Sequence, residues 1–186
     1  MKTDPRKMLL LLAAVCGLPI VLSYLAFYVW QPEKTMNYGE LITPPAPLAG
    51  PFTDLEGKPV TIDSLRGKWV MLHASPAACD PACRQLIYFM RQTRTAQGQE
   101  MERIERVWVI TDEATPDAAW LKDYPGMKIL RGKPGLPAPV DAARHLYLMD
   151  PLGKLIMRYP ENPEPKRIIK DLARLMKFSN VDRGAK

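Results

Sequence analysis

The sequence is sparing with the side chains that most often carry chemistry: three cysteines and two histidines stand among 186 residues. Three cysteines make one pair with one left over, so paired-thiol chemistry has a single place to occur. Internal repeats and low-complexity stretches are absent, which excludes a solenoid or array. Clusters of basic residues interleaved with aromatics are absent too. The formal net charge is +6 and the pI about 9.3, but Lys and Arg are dispersed, so nucleic acid is a weak reading. Such a balance is as readily a solvated surface on a membrane-bound protein. Proline is plentiful, at nineteen residues, and it gathers in one stretch and a few loops. That distribution implies an irregular periphery around an ordered core. The length suggests one domain with an appendage.

The appendage is the run from Met8 to Trp30, 23 residues without a charge. That is long enough to span the hydrocarbon core of a bilayer. No A-x-A cleavage site follows it, and it exceeds the apolar segment of a cleaved signal peptide. Lys2, Arg6 and Lys7 precede it against Asp4 alone, so residues 1–7 are expected to stay in the cytoplasm. Tyr24, Tyr28 and Trp30 gather at the far end, as interfacial aromatics do. Gly17 and Pro19 are tolerated within a membrane helix. Cys16 lies inside the apolar run and reads as a packing or lipid-facing residue. Everything beyond the anchor is then extracytoplasmic, where disulfide chemistry is permitted.

Residues 31–51 read as an extended linker, with Pro44, Pro45, Pro47, Gly50 and Pro51 closing it. A domain over 52–178 and a tail over 179–186 follow. Phe52 to Ile62 reads as a hairpin turning at Glu56-Gly57-Lys58. Asp63 to Gly67 forms a single helical turn or loop. Trp69–His73 and Ile104–Thr111 read as core strands. In the second, Val107 and Val109 point one way and Trp108 and Ile110 the other, which suits a strand covered on both faces. Between them Cys83–Gln97 is helical by period, with Cys83, Leu86, Ile87 and Met90 inward and Arg94 a poor fit on the apolar side. Asp112–Tyr124 holds a short helix with Pro116 in its first turn. Met127–Leu130 is a short strand, and 131–140 a loop. Arg144–Met149 and Lys154–Arg158 are strands joined by a type I turn at Asp150-Pro-Leu-Gly153. Pro163–Phe178 is a helix with a stripe of Ile168, Ile169, Leu172, Leu175 and Met176. This order implies a parallel pair joined by a helical crossover and meeting an antiparallel hairpin. It is an α/β, thioredoxin-like fold: a central mixed sheet flanked by helices, with an N-terminal hairpin.

Cys79 and Cys83 stand four residues apart where the first crossover begins. On a helical turn such residues share a face, with Cα atoms about 6 Å apart, within the range a disulfide tolerates. The N–H groups of a helix start favour thiolate there. The pair suits reversible disulfide exchange or capture of a soft ion such as Cu(I). Two buried small residues, or one structural disulfide, is the plainer alternative. Asp80 is expected to raise the thiol pKa of Cys79, and Arg84 to lower that of Cys83.

Gly67-Lys-Trp-Val70, Cys79-x-x-x-Cys83 and Tyr147-Leu-Met-Asp-Pro-Leu-Gly153, together with the anchor and its basic start, resemble the Sco/SenC family of cytochrome oxidase assembly proteins. The likeness runs from about Leu48 to Lys177 and extends to the small membrane-anchored, thioredoxin-like members of bacterial oxidase clusters. It implies a place in the bacterial inner membrane, with the domain in the periplasm. It also implies a cytochrome c oxidase subunit, or another oxidase assembly factor, as partner. Members bind copper with both cysteines and a distal histidine, and some act as thiol reductants instead. By that likeness Cys79 and Cys83 are copper ligands, and His145 is either the third ligand on a shifted loop or an ordinary strand residue. The family commonly has its histidine in Val-Asp-His; here that stretch is Val140-Asp141-Ala142, and His145 follows three residues later. The family also has Pro after each cysteine, where this chain has Asp80 and Arg84. His73, on the strand before the cysteines, reads as a half-buried strand residue. The functions left open are a copper chaperone, a general thiol–disulfide oxidoreductase using Cys79 to attack and Cys83 to resolve, and a partner-binding domain with a structural disulfide.

Overall fold

Two apolar runs buried on both sides, Trp69–Ser75 and Ile104–Ile110, lie side by side and parallel at the centre of one sheet. The computed structural model describes residues 5–29, 37–136 and 142–179. The chain divides into two compact units, Met1–Met36 and Asn37–Lys186. In the first, helix α1 spans Pro5–Val29 and includes Pro19. It is long and apolar enough to cross a membrane, and none of the spanning window is buried within the protein.

The second unit carries β1 (Glu40–Pro47), β2 (Phe52–Thr53), β3 (Pro59–Val60), β4 (Trp69–Ser75) and α2 (Pro81–Ala96). It continues with β5 (Ile104–Ile110), α3 (Ala118–Leu121), β6 (Lys128–Gly132), β7 (Tyr147–Met149), β8 (Lys154–Arg158) and α4 (Pro165–Phe178). Among the described residues these strands form one eight-stranded sheet in the order β1-β8-β7-β4-β5-β6-β2-β3. β4, β5 and β6 run parallel; β7 and β8 return antiparallel beside β4. This is the expected mixed, thioredoxin-like sheet, with the expected hairpin at β2–β3. That hairpin turns through Gly57 at φ +82°, a conformation only glycine enters without steric cost.

Strand alternation divides the interior in two. Trp69, Met71, Trp108 and Ile110 face Leu86, Ile87 and Met90 of α2 and Ile168, Leu172 and Met176 of α4. Val70, Leu72, Val107 and Val109 face the opposite side, where Leu48, Phe52 and Leu65 cover them. Arg94, the misfit of α2, donates from Nε to the Ile104 carbonyl at 3.0 Å and pairs with Glu102. Its charge thereby leaves the core while its stem stays packed.

Three expectations are corrected. The second half of the expected linker is a strand: β1 pairs with β8, Glu40 opposite Arg158 and Pro47 opposite Lys154, with a bulge between Leu41 and Ala46. Its prolines are tolerated because β1 is an edge, so a missing N–H breaks no inner ladder. Residues 144–146 are not strand. Ala142–Arg144 is a 3-10 turn, and β7 begins only at Tyr147. Pro116 precedes α3 rather than entering it, since Asp117 caps that helix by accepting from the Ala119 and Trp120 amides. The rest of the 131–140 loop beyond residue 136 lies outside the described residues.

One buried carboxylate ties the start of the domain to α4. Asp171 accepts from the Tyr38 and Gly39 amides at 2.7 and 3.0 Å and is itself buried. Asp171→Ala strands both donors, at a cost of about 1–3 kcal/mol for each that stays buried. Asp171→Asn keeps one acceptor and should lose less. Urea denaturation of the full chain in detergent, followed by tryptophan fluorescence, measures the difference; equal midpoints for wild type and Asp171→Ala would refute the tie.

Candidate functional site

β4 ends at Ser75 and the chain must leave the sheet to begin α2, so the site is built at that exit. Pro76 opens a tight turn whose carbonyl accepts the Cys79 amide at 3.1 Å. Cys79 takes φ +40°, a conformation disfavoured for any side chain with a Cβ. Asp80 then caps α2, accepting the Cys83 amide at 2.8 Å, and Pro81 occupies the first turn where its missing N–H is harmless. The loop is held from behind by Asp112, which accepts the Ala77 amide at 3.0 Å.

Cys79 and Cys83 are joined by a disulfide, with Cα atoms 5.2 Å apart. They are not two residues of one helical turn. Cys79 lies before the cap and reaches its partner through its left-handed backbone, while Cys83 stands in the first turn of α2. Both are buried, at 4% and 2% exposure. Cys83 faces inward onto β4, where Ser75 Oγ lies 3.1 Å from its Sγ. Ser75 Oγ in turn accepts from Trp108 Nε1 at 2.9 Å.

The two charged neighbours are committed elsewhere than expected. The Asp80 carboxylate is spent on the helix cap. Arg84 turns back, donating from Nε to the Cys79 carbonyl at 3.1 Å with its guanidinium over the Trp120 ring at 5.3 Å. Trp120 meets Trp108 edge to face at 5.9 Å. Arg84 thus clamps the loop and ties it, through two indoles, to β5.

His73 is fully buried rather than half-buried, on the same face of β4 as Ser75. Its Nδ1 lies 3.0 Å from the His145 carbonyl. A carbonyl only accepts, so Nδ1 carries the proton, and Nε2 is a lone pair with no partner among the described residues. Burial holds the His73 pKa below its ordinary value; the His145 carbonyl and the Asp80 charge pull weakly the other way. His145 is half-buried between the 3-10 turn and β7, its Nδ1 2.8 Å from the Tyr159 carbonyl and its ring 6.5 Å from that of Tyr147. Facing a carbonyl, that Nδ1 is the donor.

The structure therefore brings Cys79 and Cys83 together. Among the described residues, it places no three His, Cys, Asp or Glu side chains in a group able to hold a metal ion. The position of the family's histidine is Ala142, which opens the 3-10 turn Ala142–Arg144; residues 140 and 141 lie outside the described residues. Ser75 and Asp112 are unmarked in the sequence, and Trp108 reads there only as a core residue of β5. Ser75 shares its parity along β4 with Trp69, Met71 and His73, which was the available signal that it faces α2.

The neutral burial of His73 has a pH consequence. Unfolded, the imidazole titrates near 6.5; folded, it stays neutral to lower pH. Below about 6.5 the unfolded chain binds a proton that the fold refuses, so this group's contribution to stability falls as pH drops toward the lowered value. His73→Gln should flatten the acid side of the stability profile by at most about 1.4 kcal/mol per pH unit. Denaturation midpoints at pH 7 and pH 5 test this; an unchanged slope would show that His73 is protonated in the fold.

A family model for a transmembrane-like, thioredoxin-like, C-terminal domain matches residues 69–179, more than half of the chain. Solved structures share the fold. Yeast Sco1 with copper bound is 18% identical over 78% of this chain and 96% of its own, with a TM-score of 0.54. Apo Sco1 from Thermus thermophilus is 17% identical over 78% and 99%, with a TM-score of 0.57. A SCO1/SenC family lipoprotein from Bacillus anthracis str. Ames is 20% identical over 73% and 99%, with a TM-score of 0.53. No curated protein matches the chain.

Proposed function

The chain belongs to the family of transmembrane-like, thioredoxin-like C-terminal domains, and from that premise we propose that it is a membrane-anchored thiol–disulfide exchange protein serving cytochrome c oxidase assembly. The observation that carries this reading is the closed Cys79–Cys83 disulfide at the exit of β4. It sits at a strand-to-helix junction, held on one side by a capping carboxylate and on the other by Ser75. α1 is the single anchor, with residues 1–7 in the cytoplasm and the domain in the periplasm of a bacterial inner membrane. The client is a cysteine-bearing oxidase subunit or another assembly factor.

In the reduced protein, Cys79 thiolate attacks a client disulfide. One client sulfur leaves as thiolate and a mixed disulfide joins Cys79 to the other. Cys83 then attacks Cys79 Sγ, releasing the second client sulfur and closing the Cys79–Cys83 bond. Two electrons pass to the client, and the two protons of the dithiol end on the client thiols. Cys79 fits the attacking role because its chain neighbours Ala78 and Asp80 are exposed, whereas Cys83 faces the sheet.

The full chain in detergent, equilibrated with glutathione buffers and alkylated, should show a reversible two-electron transition by mass spectrometry. A Cys83→Ser variant should accumulate a mixed disulfide through Cys79 with an oxidase subunit. A pair that stays closed at every glutathione ratio would overturn the reading and leave a structural disulfide.

Copper carriage is the second reading. It is favoured by His145, whose Nδ1 is engaged by the Tyr159 carbonyl at 2.8 Å, so that Nε2 is the ring nitrogen it can offer. Sco1 of yeast shares the fold and has copper bound. Reduction would free Cys79 and Cys83 as two soft thiolates, and His145 would supply nitrogen for copper as cargo. His145→Ala should then weaken copper binding at least about tenfold and bleach thiolate-to-Cu(II) absorption, while leaving disulfide formation intact. Copper affinity unchanged by that substitution would remove His145 from the ligand set.

A further inference from the structure

The inward face of β4 is apolar at Trp69 and Met71 and then turns polar at His73 and Ser75, the two positions nearest the cysteine loop. Ser75 is 2% exposed, Cys83 2% and Trp108 fully buried, so no solvent arranges their contacts. Trp108 Nε1 can only donate, and it donates to Ser75 Oγ at 2.9 Å. With that hydrogen bond in place, the hydroxyl's own proton is free to turn to its other neighbour, Cys83 Sγ, at 3.1 Å. A disulfide sulfur carries no hydrogen, so in this structure Ser75 is the donor and Cys83 Sγ the acceptor. The three groups form a line of donors, indole to hydroxyl to sulfur, that ends on one atom of the exchanging bond.

A neutral disulfide sulfur draws little from such a donor, whereas a sulfur that gains negative charge draws much more. Resting on the exchange reading above, we infer that Ser75 is a catalytic hydrogen-bond donor to Cys83, oriented by Trp108 as a positioning residue. Ser75 stabilises Cys83 as the leaving thiolate when the bond opens and, by microscopic reversibility, the same transition state when it closes. In the opening direction a thiolate R–S⁻ attacks Cys79 Sγ. The R–S–S–Cys79 bond forms, the Cys79–Cys83 bond breaks, and its electron pair goes to Cys83 Sγ, toward which the Ser75 O–H already points. A second thiolate then attacks the R sulfur, releasing R–S–S–R and leaving Cys79 as thiolate to take up a proton. Glutathione or dithiothreitol supplies the electrons in the test. A preoriented donor in a dry site needs no rearrangement at the moment charge develops.

A purely architectural role makes a different prediction. If Ser75 were there only to satisfy the Trp108 N–H, its loss would weaken the fold without a specific effect on bond opening. The experiment is the second-order rate at which dithiothreitol opens the disulfide of the oxidised full chain in detergent, read by alkylation and mass spectrometry. Ser75→Ala should slow opening about tenfold, and Ser75→Thr, which keeps the hydroxyl, should stay within about twofold of wild type. An Ala variant that opens at the wild-type rate, or Ala and Thr variants slowed alike, overturns the inference. Where Ser75→Ala does not fold, Trp108→Phe takes its place: the hydroxyl is retained but loses its orienting donor, and a fall of a few-fold is expected. A Trp108→Phe variant with an unchanged rate overturns the inference equally. Because dithiothreitol opens structural and exchanging disulfides alike, these outcomes are separate from the wild-type glutathione equilibrium, whose failure would strike the exchange reading instead.

Discussion

Parallel pairing of β4 with β5, in register from Trp69 opposite Ile104 to Ser75 opposite Ile110, is the constraint from which the rest of the domain follows. Parallel neighbours cannot be joined by a tight turn. The chain must leave the C-terminal end of β4, cross one face of the sheet and re-enter beside its starting point. α2 is that crossover, and its inward residues Leu86, Ile87 and Met90 fill the space the crossing creates. The exit from β4 is therefore a place where the backbone must turn sharply next to a helix start. The cysteine pair occupies it. The cap at Asp80, the left-handed Cys79 and the brace from Asp112 are local solutions to the same turn.

The elements legible in the sequence were those whose burial imposes a period. Alternation along β5 assigned Val107 and Val109 to one side and Trp108 and Ile110 to the other, and the two interior layers divide in that way. The 3.6-residue spacing of Cys83, Leu86, Ile87 and Met90 did the same for α2. β1 was not legible because Pro44, Pro45 and Pro47 carry a loop signal, and only pairing with β8 makes a strand of them. The spacing of Cys79 and Cys83 suggests a shared helical turn because spacing reports distance along the chain and not the sign of φ. For Ser75 parity along β4 gives the face but not the partner: a small polar residue at a strand end looks the same whether it meets water or a sulfur atom. The place of His145 depended on a 3-10 turn too short to leave a pattern.

Among the described residues, the buried polar side chains His73 and Ser75 lie near the cysteine pair, while Thr93, Arg106 and Asp171 lie elsewhere. His73 and Ser75 interrupt an apolar face, and each carries a desolvation cost that a hydrogen bond offsets only in part for His73, whose Nε2 stays unpaired among the described residues. Arg84, exposed at the rim, completes the arrangement by binding the Cys79 carbonyl and stacking on Trp120. The same side chain restrains both the loop and the indole that neighbours Trp108.

The proline-rich β1 also determines how the sheet ends. An open sheet edge is a row of free amides and carbonyls that invites another strand, and copies of one protein offer identical edges to each other. Along β1, Pro44, Pro45 and Pro47 supply no N–H, and the bulge between Leu41 and Ala46 breaks what regularity remains. At the opposite edge, β3 is only two residues long and begins with Pro59. Neither border can seed ordered growth of the sheet from one molecule to the next, so the composition that disguised a strand also guards the protein against polymerising through it.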